Sequence, residues 1–227
     1  MLAIPPRAQH ELLNRYILNS NIKHLFLEKP LGINSAQGGE ILRSLDQYKK
    51  SFSLAYLFLW TDWFQELFQL FADVLNRESL IIEIEWTVPH AANSWKSNDE
   101  IGGGLSHFFS THLFALYYKL GFKSHELSVE RKNDGLLMSG FNVSFPRVVA
   151  SINYGENSHF LIRSHGNESS LIFEDENPFG ARNYLGKLDN RIPVLAKYID
   201  SSLRDHRTDF TQMETFVNEI RCRVEAL

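Results

Sequence analysis

Two stretches hold side chains whose types and spacing suit proton or hydride chemistry. The first is "LFLEKPLGIN", residues 25–34, where a short apolar run ends abruptly at Glu28, Lys29 and Pro30. If the run is a strand of an open α/β sheet, its carboxyl end is where such sheets hold ligands. A lysine there is a mobile donor whose pKa falls on partial desolvation. It can polarise a hydroxyl or share its proton during an oxidation. Taken alone, the three residues read more cheaply as a strand running out into solvent with two solvated charges. The second stretch is "NSWKSNDEIGGGLSHFFSTH", residues 93–112. Gly102, Gly103 and Gly104 open a helix there, and such a turn lets backbone N–H groups approach a ligand. No Lys-Ser or Lys-Thr follows at the spacing of a P-loop. His107 and His112 are five apart, so a regular helix sets them on different faces and they make no metal-binding pair. Phe108 and His112 are four apart and share a face. A single helical histidine is more often packed or solvated than catalytic.

The elements around these stretches read in order. "MLAI" is the tail of a buried strand stopped by Pro5 and Pro6. "AQHELLNRYILNS" carries apolar residues at 12, 13, 16 and 17, a helical spacing. "IKHLFLE" is a second strand, and "NSAQGGEILRSLDQYKK" a helix capped by Asn34 or Ser35. "SFSLAYLFLW" is a third apolar strand, completing the strand–helix alternation of parallel βαβ units. Beyond residue 60 the pattern changes. "DWFQELFQLFADVLN" is an amphipathic helix. In "LIIEIEWTVP", Ile82, Ile84, Trp86 and Val88 alternate with polar neighbours, as in an antiparallel strand with one covered face. The glycine-led helix closes at Gly121. Strands are expected at 126–132, 136–144, 147–154, 158–164 and 169–174, and helices over "IPVLAKYIDSSL" and about 209–226.

The totals bound the possibilities. The chain has 227 residues, enough for a sizeable core in one large or two small domains. A net charge of −4 gives no reason to expect nucleic-acid or anionic-membrane binding. The longest apolar run, "LAYLFLW", is far short of a bilayer span, and the first residues do not read as a signal peptide. Cys222 is the single cysteine, which excludes an internal disulfide or multi-cysteine zinc site and suits a reduced, cytoplasmic setting. Of the aromatic residues, 17 are Phe, which favours a thick core or an oligomer interface.

The stretch "AIPPRAQHELLNRYILNSNIKHLFLEKPLGINSAQGGEIL" resembles the middle of the dinucleotide-binding domain of the Gfo/Idh/MocA oxidoreductases, the relatives of glucose–fructose oxidoreductase and inositol dehydrogenase. That family runs strand, small-Pro loop, histidine, helix, strand, Glu-Lys-Pro; here these are Ala3-Ile4-Pro5-Pro6, His10, and Glu28-Lys29-Pro30. Its second block, Trp-Arg, a gap, then Gly-Gly-Gly-x-x-x-Asp-x-x-x-His, reads here Trp95-Lys96, Gly102–Gly104 and His112. "RSHGNESSLIFED" and the tail "YIDSSLRDHRTDFTQMETFVNEIRCRVEAL" resemble its sheet segment and closing helices. The resemblance implies hydride transfer between NAD or NADP and a hydroxyl carbon of a sugar, sugar nucleotide or cyclitol. It assigns Lys29 and His112 as catalytic. It places Pro5, Pro6, Glu28, Lys29 and Pro30 on the cofactor, and Tyr56, Trp95, Lys96 and His107 toward substrate. A histidine of ordinary pKa can accept the hydroxyl proton, while the cofactor supplies the redox step.

The chain departs from the family in named places. There is no strand–GxGxxG–helix, so it reads as a family member lacking the N-terminal part of the Rossmann domain. Phe108 stands where the family carries Asp, Ala115 replaces a frequent Asp, and Phe58 lies near the place of an Arg. The expected fold is a truncated Rossmann-like parallel βα remnant, residues 1–57, followed by an α+β domain, 58–227, with a large, mainly antiparallel open sheet. Two functions stay open. One is an NAD(P)-dependent oxidoreductase of a sugar-like small molecule, a homo-oligomer through its sheet and independent of metal, nucleic acid or membrane. The other is a non-catalytic remnant acting in binding or oligomerisation.

Overall fold

The structure, a computed structural model, describes residues 4–73, 80–90, 94–142, 146–166, 169–176, 178–179, 191–204 and 210–227. In chain order its elements are α1 (Pro6–Leu12), β1 (His24–Leu27), α2 (Ser35–Gln47), β2 (Ser51–Leu54), α3 (Asp62–Asp73), β3 (Ile81–Pro89), α4 (Ser110–Lys119), β4 (Leu127–Lys132), β5 (Gly135–Gly140), β6 (Arg147–Gly155), β7 (His159–His165), β8 (Ser169–Asp175), α5 (Ile192–Arg204) and α6 (Phe210–Glu225). They form two compact units: Met1–Tyr56 with Ala91–Ala115 and Ser202–Leu227, and Leu57–His90 with Leu116–Ser201. The first boundary falls between Tyr56 and Leu57, and beyond it the two units alternate along the chain. Helix α6 returns to pack on α2, and the glycine-led segment returns beside Lys29.

In the first unit, β1 and β2 pair in parallel with Leu25 opposite Phe52 and Leu27 opposite Leu54. Helix α2 makes the crossover. Asn34 is its N-cap, with a side chain that accepts the Gln37 N–H at 2.9 Å, and Gly38, Ile41 and Leu45 form its buried stripe. Pro5 and Pro6 start α1, which runs on into a π-helical turn, Leu13–Ile17. The first three residues of the expected "MLAI" strand lie outside the described residues. The expected strand over "SFSLAYLFLW" is corrected: it stops at Leu54, and Leu57–Trp60 form a 3₁₀ turn. Leu54 to Leu59 are all buried, so apolarity there marks the core and carries no strand period.

The second unit is built on a six-stranded sheet in the order β4-β5-β6-β3-β7-β8. It is mainly antiparallel, as expected, but β3 itself is mixed: antiparallel to β7 and parallel to β6. Alternation along a strand reveals which face is covered and says nothing of its neighbour's direction. Ile82, Ile84, Trp86 and Val88 turn into the core. There Phe58 stacks among Trp63, Trp86, Phe160 and Phe179 at centroid distances of 4.9–5.8 Å. Helix α3 adds Phe64, Leu67 and Phe71, while its expected continuation to residue 76 lies outside the described residues. Among the described residues no helix is long and apolar enough to cross a membrane.

Candidate functional site

The end of β1 is held by a side chain. Gln9 of α1 is fully buried, and its amide pairs with the Glu28 backbone: the Glu28 N–H donates to Gln9 Oε1 at 3.0 Å, and Gln9 Nε2 donates to the Glu28 carbonyl at 3.0 Å. The amide thus occupies the place of a neighbouring strand. Glu28 Oε1 accepts the Lys29 N–H at 3.1 Å, and the Lys29–Pro30 peptide is cis. The backbone delivers Lys29 inward, where only 1% of its surface is exposed. Its ammonium donates to the Phe108 carbonyl and lies 3.4 Å from the centroid of the Phe108 ring.

Phe108 reaches that position through the glycine turn. Gly102 and Gly104 adopt φ of +83° and +72°, a left-handed backbone that side chains disfavour. A Cβ on Gly103 would fall 2.0 Å from the Trp95 carbonyl, and one on Gly102 3.2 Å from the ring of Pro6, which is buried. The chain then runs through a π-helical turn, Gly104–Phe109, into α4. Such turns recur at functional sites. The Phe108 carbonyl also accepts the Thr111 hydroxyl at 2.8 Å. Lys96 Nζ lies 5.3 Å from the Phe108 centroid, and Trp95 meets the ring edge-on at 5.1 Å. Lys29, Trp95 and Lys96 therefore converge on the Phe108 ring.

His112 is 4% exposed, and its ring stands edge-on to Tyr56 at 6.4 Å. Tyr56 is fully buried, and its hydroxyl donates to Glu214 of α6. Burial pushes the Glu214 carboxyl up to about 7, with the Tyr56 hydroxyl, Arg221 and the Leu31 backbone opposing the rise. Burial first, then the Glu214 charge, holds the Tyr56 hydroxyl well above its ordinary range. Arg221 donates from Nη2 to the Gly32 carbonyl at 2.9 Å and from Nη1 to Asn218 Oδ1 at 3.4 Å, and burial lowers its affinity for its proton. His107 has other neighbours. Its Nδ1 lies 3.6 Å from Glu225 Oε1, and that carboxylate accepts the Ser35 N–H at 2.7 Å and hydroxyl at 2.5 Å.

Three buried residues of this corner were not singled out from sequence: Gln9, Glu214 and Arg221. Only α6 carried a signal. Its apolar stripe over Phe210, Met213, Val217, Ile220 and Val224 continues through positions 214 and 221, where charges interrupt it.

A nicotinamide cofactor needs backbone N–H groups at a helix start for its pyrophosphate. The start of α2 is filled by the chain's own Glu225 carboxylate, and α1 begins with two prolines, which have no N–H. Neither of these two helix starts therefore presents its full set of N–H groups to a pyrophosphate. Nor do the described residues hold a group of three His, Cys, Asp or Glu able to bind a metal.

No protein-family profile matches the sequence, and no curated protein matches it significantly. Solved structures match it in fold. A protein of Sinorhizobium meliloti 1021 assigned as a myo-inositol dehydrogenase superposes with a TM-score of 0.69 at 12% identity, over 98% of this chain and 75% of its own. The WlbA (WbpB) dehydrogenase of Thermus thermophilus, in complex with NAD and UDP-GlcNAcA, matches with a TM-score of 0.65 at 13% identity, over 99% and 71%. The super-repressor mutant of Gal80p from Saccharomyces cerevisiae matches with a TM-score of 0.65 at 11% identity, over 99% and 75%. At these identities the likeness is one of fold, and it is the Rossmann-like dehydrogenase fold expected from the sequence.

Proposed function

We propose that this chain is a ligand-binding and assembly module on a dehydrogenase fold. It holds a small polyhydroxylated molecule near Lys29, Phe108 and His112 and does not by itself transfer hydride. Phe108 carries this reading. Hydride loss from a carbinol carbon needs a group that takes up the hydroxyl proton. The Lys29 ammonium is engaged by the Phe108 carbonyl and ring, which weighs against its sharing in that step and leaves the task to His112. The sugar-like ligand class comes from neighbours of the same fold, one assigned to myo-inositol and one bound to UDP-GlcNAcA. A repressor among those neighbours supports a non-dehydrogenase role for such a fold. The assembly surface is the open sheet face bearing Glu83, Glu85 and Thr87, edged by the exposed Ile81 and Leu171.

A second reading is favoured by one observation: Lys29 and His112 are both almost fully buried in the same compact unit. On that reading the chain is a nicotinamide-dependent oxidoreductase. Lys29 and His112 act on the hydroxyl, Pro5, Pro6, Glu28 and Pro30 border the cofactor, and Trp95, Lys96, Tyr56 and His107 serve the substrate.

Isothermal titration of the 227-residue chain with NAD, NADH, NADP, NADPH, myo-inositol and glucuronate, alongside sedimentation, separates the two. The expected result is heat with a polyol or uronate, none with the dinucleotides, no change in reduced-cofactor absorbance, and a dimer or larger species. Micromolar dinucleotide binding with turnover establishes the oxidoreductase instead. A monomer at all concentrations removes the assembly role.

A further inference from the structure

Glu214 and Arg221 stand seven positions apart on α6, two turns along one buried face, and both are 0% exposed. Placing a carboxylate and a guanidinium in an apolar stripe costs desolvation free energy, and burial alone gives no reason for it. Their contacts supply one. The Glu214 carboxylate takes the Tyr56 hydroxyl, and the Leu31 backbone also favours its charge. Arg221 donates to the Gly32 carbonyl at 2.9 Å. Leu31 and Gly32 directly follow Lys29 and Pro30 in the chain, and Tyr56 is the ring that faces His112. Two charges on one helix therefore reach the two sides of the corner, the segment behind Lys29 and the ring beside His112. Besides Glu214, Tyr56 and then Glu225 of the same helix act electrostatically on Arg221.

We propose that Glu214 and Arg221 are positioning residues of this corner, fixing the Lys29–Gly32 segment and the Tyr56 ring so that Lys29 and His112 keep their places. The proposal deepens the reading of this corner as a ligand site and rests on it, but it makes a statement about Lys29 that is testable without any ligand. A buried amine is acylated only when its surroundings open, so its labelling rate reports local opening. Lys50 is an internal control in the same unit: it is 9% exposed, and its ammonium donates to the Ser20 and Ile22 carbonyls, the latter at 2.8 Å.

The experiment acetylates the native chain and quantifies Lys29 and Lys50 by peptide mass spectrometry. Arg221→Met and Glu214→Ala are expected to speed Lys29 labelling about tenfold, the effect of losing a hydrogen bond to a charged group, with Lys50 unchanged. Glu214→Gln, whose amide oxygen still accepts the Tyr56 hydroxyl, restores most of the protection. If a charge-removing variant does not fold, Tyr56→Phe deletes one hydroxyl without opening a large cavity and is expected to speed Lys29 several-fold. Unchanged Lys29 labelling in the folded variants overturns the proposal. So does an equal acceleration of Lys29 and Lys50, which shows general loosening. Absence of heat with polyols and uronates removes the ligand reading while leaving this labelling contrast in place.

Discussion

The buried Glu214 makes stability fall as pH rises through the range from 4.5 to neutrality. Its carboxyl has an ordinary value of 4.5, which applies in the unfolded chain, and burial raises it to about 7 in the folded one. Between those values the folded chain holds a proton that the unfolded chain has released. The contribution is fully present below 4.5 and is lost as pH rises through about 7. The gap, at about 1.4 kcal/mol per pH unit, amounts to about 3 kcal/mol. Glu214 is fully buried, so solvent screening leaves this figure undiminished. At a urea dependence of about 3 kcal/mol per molar, the unfolding midpoint falls by about 1 M across the window. The assay is urea unfolding at several pH values, read by hydrogen-exchange mass spectrometry on peptides from α6. Glu214→Gln cannot ionise and removes the slope. The two proteins differ at no other position, so the difference between the two curves isolates Glu214. Parallel curves for wild type and Glu214→Gln between pH 4.5 and 7 would show that the carboxyl does not carry a raised pKa.

Phe108→Ala removes the ring that meets Lys29, Lys96 and Trp95. Because the ring is buried, the variant loses about 3–4 kcal/mol in equilibrium unfolding, and a loss below about 1 kcal/mol would place the ring outside the packed corner. Gly104→Ala forces a side chain onto φ +72° with its Cβ 2.0 Å from Asp99 Oδ1, so the melting temperature drops by several degrees; an unchanged value would contradict the turn geometry.

The parts of the fold with a strong side-chain period were legible in the sequence. Ile82, Ile84, Trp86 and Val88 alternate and are the buried face of β3, and Asn34 before the α2 pattern is its cap. Where the period vanishes, so did the reading. Leu54–Trp60 is apolar throughout, and the chain uses it as a strand end and a 3₁₀ turn in the core. Parallel pairing of β3 with β6 leaves no trace within either strand, since it depends on which segments meet. The corner was half legible. Local residue types marked Lys29 and the glycine turn as candidates, and the family resemblance alone drew attention to Phe108. Gln9 and Arg221 reach it from 19 and 189 residues away along the chain, and single-sequence patterns carry no such pairing.

If the corner holds a ligand as proposed, what Phe108 does to Lys29 sets how strongly it binds. A hydroxyl that recruits the ammonium must first replace its contacts with the Phe108 carbonyl and ring. A hydrogen bond from a charged donor contributes about 1.5–3 kcal/mol, and a desolvated cation–π contact about 2 kcal/mol. Breaking both weakens a ligand by roughly 400- to 5,000-fold relative to a site whose lysine already points at it. A carboxylate at position 108 would raise a different barrier, since it would hold the ammonium by charge yet remain able to accept a proton from substrate. The ring holds the ammonium and accepts nothing. A ring at position 108 thus keeps the lysine buried and the corner packed while offering no acceptor of its own, so on the proposed reading any proton taken from a bound hydroxyl would have to go to His112.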